Sequence, residues 1–498
     1  MLLHDLLDAT DVLEVFHDAP IDVSDVTHDS RTACPGALFC CIAGTAVDGH
    51  DFAAAAVNAG VVALMVEREL VATVPQARVQ SVRVAIGPVA ARLHGDPSHR
   101  LPVVGVTGTN GKTTVTYFLE AIFAAGAMRP ALVGTTGVRM NGVTEAARFT
   151  TPEAPELQRT LADLVLQGAD VIAMEVSSHS LAEHRIDGTR FAAACFTNLT
   201  QDHLDYHGTL DEYAASKARL FTPEFTDRAA INVDDPYGRK LARIAIDVGL
   251  EVLTYTIDPE TFAAGVQMTA EAAAVRATDM RTDIGGTTFR LAIHHDAIDV
   301  RLPVPGRFNV VNALAAAATA TLLGIELATI AQGLSNVSTV PGRFEIVGPD
   351  APVSVIVDYA HTPDGIAAVL RAARELGDGC VIAVFGCGGD RDTAKRSPMG
   401  EAAGRGADFV VLTSDNPRSE DPATIAAAAA IGLTAVGAEF EIELDRRLAI
   451  RAALARAVPG DTVMILGKGA ETVQHVGATS VAFDDRVVAA EEMDARWN

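Results

Sequence analysis

Short apolar runs alternate with amphipathic segments along the whole chain, and glycine-bearing polar joints separate them. Residues 102–106, 170–174, 353–357, 381–385, 408–412 and 463–466 are almost continuously apolar and four or five residues long, the signature of strands buried on both faces. Between them the period changes. In 365–376 the apolar residues Ile366, Val369, Leu370 and Ala373 fall at helical spacing, and Tyr117, Leu119, Ile122 and Phe123 mark another helix. Residues 52–59 read as a helix stopped by Gly60, after a strand at 38–42. Strand and helix in alternation predict an α/β fold with mainly parallel sheets. The pattern changes at Leu101, and Val340-Pro341-Gly342-Arg343 has the composition of a hinge. The predicted domains are 1–97, 98–339 and 340–498.

Composition sets the limits. A chain of 498 residues suggests three domains, and 49% hydrophobic content with 5% aromatic means cores of Ala, Val, Leu and Ile. A net charge of −25 speaks against nucleic acid as a partner, because phosphate backbones need clustered Lys and Arg. The first sixteen residues carry Asp5, Asp8, Asp11 and Glu14, unlike a signal peptide, and no run has the length of a membrane span. Six cysteines without zinc-like or disulfide-like spacing read as reduced core thiols, so a cytoplasmic enzyme is expected.

Candidate chemistry gathers at strand ends, where sheet ligands usually bind. Gly108-Thr109-Asn110-Gly111-Lys112-Thr113-Thr114 lies between a strand and a helix, the context of a phosphate loop. Its backbone N–H groups can cradle anions, Lys112 supplies a point charge, and Thr113 can ligate Mg²⁺. Gly105 is one residue too far from Gly111 for the usual spacing. Glu175 ends the strand at 170–174 and can hold Mg²⁺ directly or through water. The polar stretch 197–208 offers His203 as a second ligand, while Lys217 on its helix reads, by spacing alone, as a solvated surface residue. In the last third, Asp358 suits a ribose hydroxyl. Arg391, Asp415-Asn416-Pro417-Arg418 and Gly467-Lys468-Gly469-Ala470-Glu471 form further polar strand ends, and an Arg fork beside Pro suits a carboxylate.

Gly105-Val-Thr-Gly-Thr-Asn-Gly-Lys-Thr-Thr114, Glu175-Val-Ser-Ser-His179, Asp202-His-Leu-Asp-Tyr-His-Gly208 and Asp415-Asn-Pro-Arg418, in this order over the whole chain, resemble the Mur ligases. The resemblance implies a UDP-substrate domain, a central P-loop-type ATPase domain and a C-terminal Rossmann-like domain. It implies a monomer that uses ATP and Mg²⁺ to form an amide bond in peptidoglycan synthesis. Under it, Ser30 contacts UDP, and Thr150, Thr151, Ser177 and Arg185 hold a muramoyl dipeptide. The phosphate loop from Gly108 to Thr114 binds ATP together with Asn309, Asn312, Arg343 and Asp358. Glu175, His203 and Lys217, the last as a carbamate, serve the metal. The Asp415-Asn-Pro-Arg418 motif resembles that of enzymes selecting diaminopimelate over lysine, with Arg391, Asn416, Gly467 and Glu471 completing the pocket. The chain departs from the family pattern at Ala470, usually His, and at Ser397, often Pro. Three rivals compete: a folylpolyglutamate-type or cyanophycin-type ligase, a non-catalytic nucleotide-binding paralogue, and a simple phosphotransferase.

Overall fold

The computed structural model describes residues 1–44, 47–258, 274–349 and 351–497. Three α/β sheets follow one another along the chain, with a separate two-stranded ribbon near the end. The first sheet has the order Val12–Phe16, Gln76–Val79, Ala63–Val66, Ala37–Cys40, Asp25–Thr27, parallel except for its antiparallel first strand.

The central sheet has eleven strands. Seven run parallel in the order Ala274–Asp283, Glu251–Thr256, Arg228–Asn232, Ala193–Phe196, Val103–Thr107, Val171–Glu175, Pro130–Gly134. Antiparallel strands extend both edges: Gly286–Ile293 and Asp296–Leu302 at one, Gly137–Met140 and Val143–Glu145 at the other. Alternate strand residues feed two different cores. Val104, Val106 and Ala173 join the helices Lys112–Ala125 and Arg307–Leu322, whereas Val103, Ile172 and Met174 join Leu157, Leu161 and Leu241 on the other face. That two-sided burial is why these strands carry no polar alternation.

The third sheet has the order Glu345–Val347, Ser354–Asp358, Thr462–Leu466, Val381–Phe385, Phe409–Leu412, Phe440–Ile442, and only Glu345–Val347 is antiparallel. Its helices Pro363–Arg374, Arg396–Gly406 and Pro422–Ala435 cover one face, and Arg446–Arg456 and Asp485–Trp497 the other.

The sequence pattern misses the edge strands. Thr144, Glu145, Thr287, Arg290, Asp299 and Arg301 interleave polar residues that a half-exposed ladder tolerates, so no apolar run betrays them. Of the cysteines, Cys40, Cys41, Cys195 and Cys387 are buried thiols, Cys34 is half-buried, and Cys380 is exposed at the open start of Val381–Phe385, which corrects its reading as a core residue. Among the described residues, no helix is long and apolar enough to cross a membrane.

Candidate active site

The strand Val103–Thr107 hands over to the helix Lys112–Ala125 through a loop whose Gly108 (φ +147°) and Gly111 (φ +90°) take conformations that L side chains rarely adopt. A brace from residues 197–200 fixes that loop. Thr109 N–H donates to Asn198 O (2.8 Å), Asn110 N–H to Asn198 Oδ1 (2.9 Å), and Thr197 Oγ1 to Asn110 O (2.6 Å). Thr114 is buried at the start of the helix, and Asn312 closes over Gly111, bonded to Asn309 (3.4 Å) within the helix Arg307–Leu322.

Two ammonium groups converge on one carbonyl. Lys112 Nζ donates to Gly108 O (2.9 Å) and Thr109 O (3.0 Å), and Lys217 Nζ donates to Gly108 O (2.9 Å) from the helix Leu210–Ala218. Lys217 is 1% exposed and lies 4.3 Å from the centroid of the Tyr213 ring. This corrects its reading as a surface residue. A ring of the lysine's own helix and the phosphate loop enclose it, which no linear spacing reveals. Burial, with the Lys112 charge added, holds the Lys217 pKa well below the ordinary lysine range. Burial also lowers that of Lys112, against the attraction of Glu175 and Asp202.

Thr113 Oγ1 donates to Glu175 Oε1 (3.0 Å), which also accepts from Thr135 N–H (2.8 Å). Arg343 crosses from the third domain: its Nη2 donates to Thr113 Oγ1 (3.0 Å), and its guanidinium stacks 4.3 Å from the Tyr359 ring centroid. The buried Asp358 carboxylate accepts Phe344 N–H and Ala360 N–H, both at 2.7 Å, so it fixes the start of the third sheet. Burial raises its pKa, with Arg343 opposing.

His203 does not bond to Glu175. In left-handed backbone (φ +55°), its Nε2 lies 3.4 Å from Asp202 Oδ2, and its ring meets His179 edge-on at 4.7 Å. Burial pushes its pKa down to about 3. Sequence reasoning passed over Asp202, which gathers Lys395 (3.1 Å) and His361 (3.7 Å) from the third domain. Burial disfavours the Asp202 anion, yet His361, Lys395 and His203 hold it ionised well below the usual range. The density of ionisable groups in 202–208 was the available signal. Among the described residues no three His, Cys, Asp or Glu side chains form a metal cage. The Thr113 hydroxyl and Glu175 carboxylate are hard oxygen donors that suit Mg²⁺ completed by phosphate oxygens.

Thr151 is buried and donates to Glu175 O (2.9 Å) while accepting Ser177 N–H (3.1 Å), and Thr150 touches Thr135 (3.1 Å). Ser177 caps the helix Ser178–Ala182. Arg185 lies beside Glu153 (3.0 Å) and Glu183 (3.0 Å), and Glu153 also pairs with Arg83 of the first domain (2.9 Å). Ser30 is half-buried in a turn between Asp29 and Arg31, whose side chains pair with each other; among the described residues no hydrogen bond joins Ser30 to the other candidates.

The remaining candidates meet beside the third sheet. Asn416 Nδ2 donates to Glu471 Oε2 (2.8 Å), and the Asp415 carboxylate lies against Gly467 (φ +114°). Lys468, fully buried and unassigned by the sequence reading, donates to Glu471 Oε2 (3.0 Å) and Val473 O (2.6 Å). Arg418, also left-handed (φ +51°), spends one Nη on Gly389 O (2.7 Å), and Arg391 is exposed at the rim. Burial raises the Asp415 pKa, with Glu471 adding to the effect.

The Mur ligase family catalytic domain matches residues 22–102, the Mur ligase middle domain 106–320, and the Mur ligase glutamate ligase domain 342–469. The UDP-N-acetylmuramoyl-L-alanyl-D-glutamate–2,6-diaminopimelate ligase of Gloeobacter violaceus is 43% identical over 100% of this chain and 99% of its own. That of Geobacillus thermodenitrificans is 42% identical over 94% of each. A solved structure of a ligase with the same name superposes with a TM-score of 0.69 at 32% identity, covering 100% of both chains. The chain belongs to the Mur ligase family.

Proposed function

We propose that this chain uses ATP to join diaminopimelate to UDP-N-acetylmuramoyl-L-alanyl-D-glutamate through an acyl phosphate, as a cytoplasmic monomer with Mg²⁺. The observation that carries the reading is the reach of Arg343 onto Thr113 at 3.0 Å, which brings a third-domain cation onto the phosphate loop. In this assignment residues 1–97 bind the UDP moiety through Ser30, 98–339 bind ATP, and 340–498 receive the amino acid. Asn309 and Asn312 would serve the adenine and Asp358 the ribose.

Lys112 exchanges the loop carbonyls for the γ-phosphate, and Arg343 adds a second charge. A carboxylate oxygen of the dipeptide, held by Thr150, Thr151, Ser177 and Arg185, attacks the γ-phosphorus, and the bond to the ADP oxygen breaks. The amine of the incoming amino acid, freed of a proton, then attacks the acyl carbon, and inorganic phosphate leaves with the C–O bonding pair. Thr113, Glu175 and His203, with Lys217 once carbon dioxide has converted its amine to a carbamate, would hold Mg²⁺, which neutralises charge on the phosphate oxygens. Closure about residues 340–343 keeps water from the acyl phosphate. Arg418 and Arg391 face the distal carboxylate of diaminopimelate, while Asp415, Asn416, Gly467 and Glu471 take the ammonium on the same distal carbon. Lysine lacks that distal carboxylate and would leave a guanidinium unpaired in a closed site.

The test is phosphate release that requires both the UDP-linked dipeptide and an amino acid, with products weighed by mass spectrometry. The expected product is the condensed tripeptide, formed faster with diaminopimelate than with lysine or ornithine. Absence of turnover with all three would remove the assignment.

A further inference from the structure

The two loops that form the amino-acid pocket follow strands that do not touch. Phe409–Leu412 leads to Asp415, Asn416 and Arg418, and Thr462–Leu466 leads to Gly467, Lys468 and Glu471. Val381–Phe385 lies between them in the sheet, so the two loops start roughly 10 Å apart, two interstrand spacings. No ladder hydrogen bond joins the two strands; farther out, the first loop pairs with the ribbon beyond the second, where Arg418 bridges Val476.

One side chain bridges that gap from beneath. Arg446, the first residue of the helix Arg446–Arg456, is 2% exposed. Its Nη1 donates to Ser414 O (3.2 Å), at the base of the first loop, and its Nη2 to Leu466 O (3.0 Å), at the base of the second. Nε and Nη2 also form a bidentate pair with Asp485 (2.7 and 2.6 Å), which is fully buried at the start of the helix Asp485–Trp497. A planar fork with five donors can satisfy a carboxylate and two separate carbonyls at once; an ammonium cannot do so in this plane. Above the bridge the loops lean on each other through Asn416, Glu471 and Lys468, contacts that need the right loop separation to form.

We infer that Arg446, oriented by Asp485, is a positioning residue that sets the separation of the two loops and thereby the affinity and selectivity for the incoming amino acid. This rests on the reading of that pocket given under Proposed function. Arg446 touches neither the phosphate loop nor the residues assigned to the dipeptide, so its effect is confined to one substrate.

The experiment is steady-state kinetics of the full-length protein with each of the three substrates varied in turn. Arg446→Lys and Asp485→Asn are expected to raise KM for the amino acid at least about tenfold, because misplacement by an ångström is costly in a preorganised site. KM for ATP and for the UDP-linked dipeptide should stay within about twofold, and discrimination between diaminopimelate and lysine should narrow. An isolated buried charge destabilises, so the double variant Arg446→Met/Asp485→Leu is the second arm; it removes both charges together and is expected to fold while showing the same selective loss. An unchanged amino-acid KM in a folded variant overturns the inference, and so does an equal rise in all three KM values, which would mark a general structural role. Failure of the unaltered protein to use any amino acid overturns the pocket reading itself, and the inference with it; selective outcomes in the variants can be read only against a working parent.

Discussion

Replacing Gly108 by Ala tests how tightly the phosphate loop is built. The added Cβ would stand 1.9 Å from Thr197 Oγ1, and 3.0 and 3.1 Å from the backbone N and O of Asn198. Thr197 cannot turn aside cheaply, since its hydroxyl bonds to Asn110 O (2.6 Å) and Thr107 O (3.3 Å). Overpacking of this kind costs about 1–3 kcal/mol. An L side chain held at φ +147° adds about 1–3 kcal/mol. Together they come to about 2–6 kcal/mol in a buried, braced loop, and shifting the loop relieves part of that strain. Gly108 O, the shared acceptor of Lys112 and Lys217, moves with it. The variant should therefore lose at least about 30-fold in kcat/KM for ATP, and its melting temperature should fall by a few degrees. Gly377→Ala is the control, because nothing lies within 4 Å of its added Cβ. The assay is phosphate release at varied ATP. A Gly108→Ala enzyme within about threefold of the parent would refute the reasoning.

Lys217→Ala should lower turnover by about a hundredfold or more, the usual loss when one electrostatic group leaves a phosphoryl-transfer site; if the lysine works as a carbamate, the unaltered enzyme should also slow in bicarbonate-depleted buffer and recover on adding bicarbonate. Arg418→Leu should reduce kcat/KM for diaminopimelate by about 10- to 100-fold and bring lysine closer to parity, measured by competition between the two. His207, whose pKa burial pushes down to about 4 with the His179 and Lys217 charges adding, makes the protein acid-sensitive. Its folded pKa lies below its unfolded value of about 6.5, so the neutral ring costs nothing above that pH, and stability falls as pH drops from about 6.5 toward 4. Melting temperature against pH should show this decline, and His207→Gln should flatten it; parallel curves for the two proteins would remove His207 as the cause.

The parts of the molecule legible in the sequence are those that obey local rules. Buried parallel strands such as Val381–Phe385 announce themselves as apolar runs, and the phosphate loop shows its glycines between strand and helix. Glu175 and Asp358 were found because each terminates such a run. Residues whose roles depend on packing stayed hidden. Lys217 looks like any helical lysine until Tyr213 and the loop close around it. Arg446 and Asp485 lie 39 residues apart with no shared motif, and only the sheet order shows what they span. Asp202 stands in the sequence as one member of a polar stretch, because its partners Lys395 and His361 come from another domain.

The crowding of Lys112 and Lys217 on one carbonyl has a calorimetric consequence. Each ammonium is disfavoured by its surroundings, and for Lys217 by the neighbouring ammonium as well. An arriving polyphosphate reverses that preference for Lys112, so in alkaline solution nucleotide association should draw protons from the medium. The heat of association would then vary with the ionisation enthalpy of the buffer, giving a signature of the lysine's protonation that needs no second substrate and no turnover.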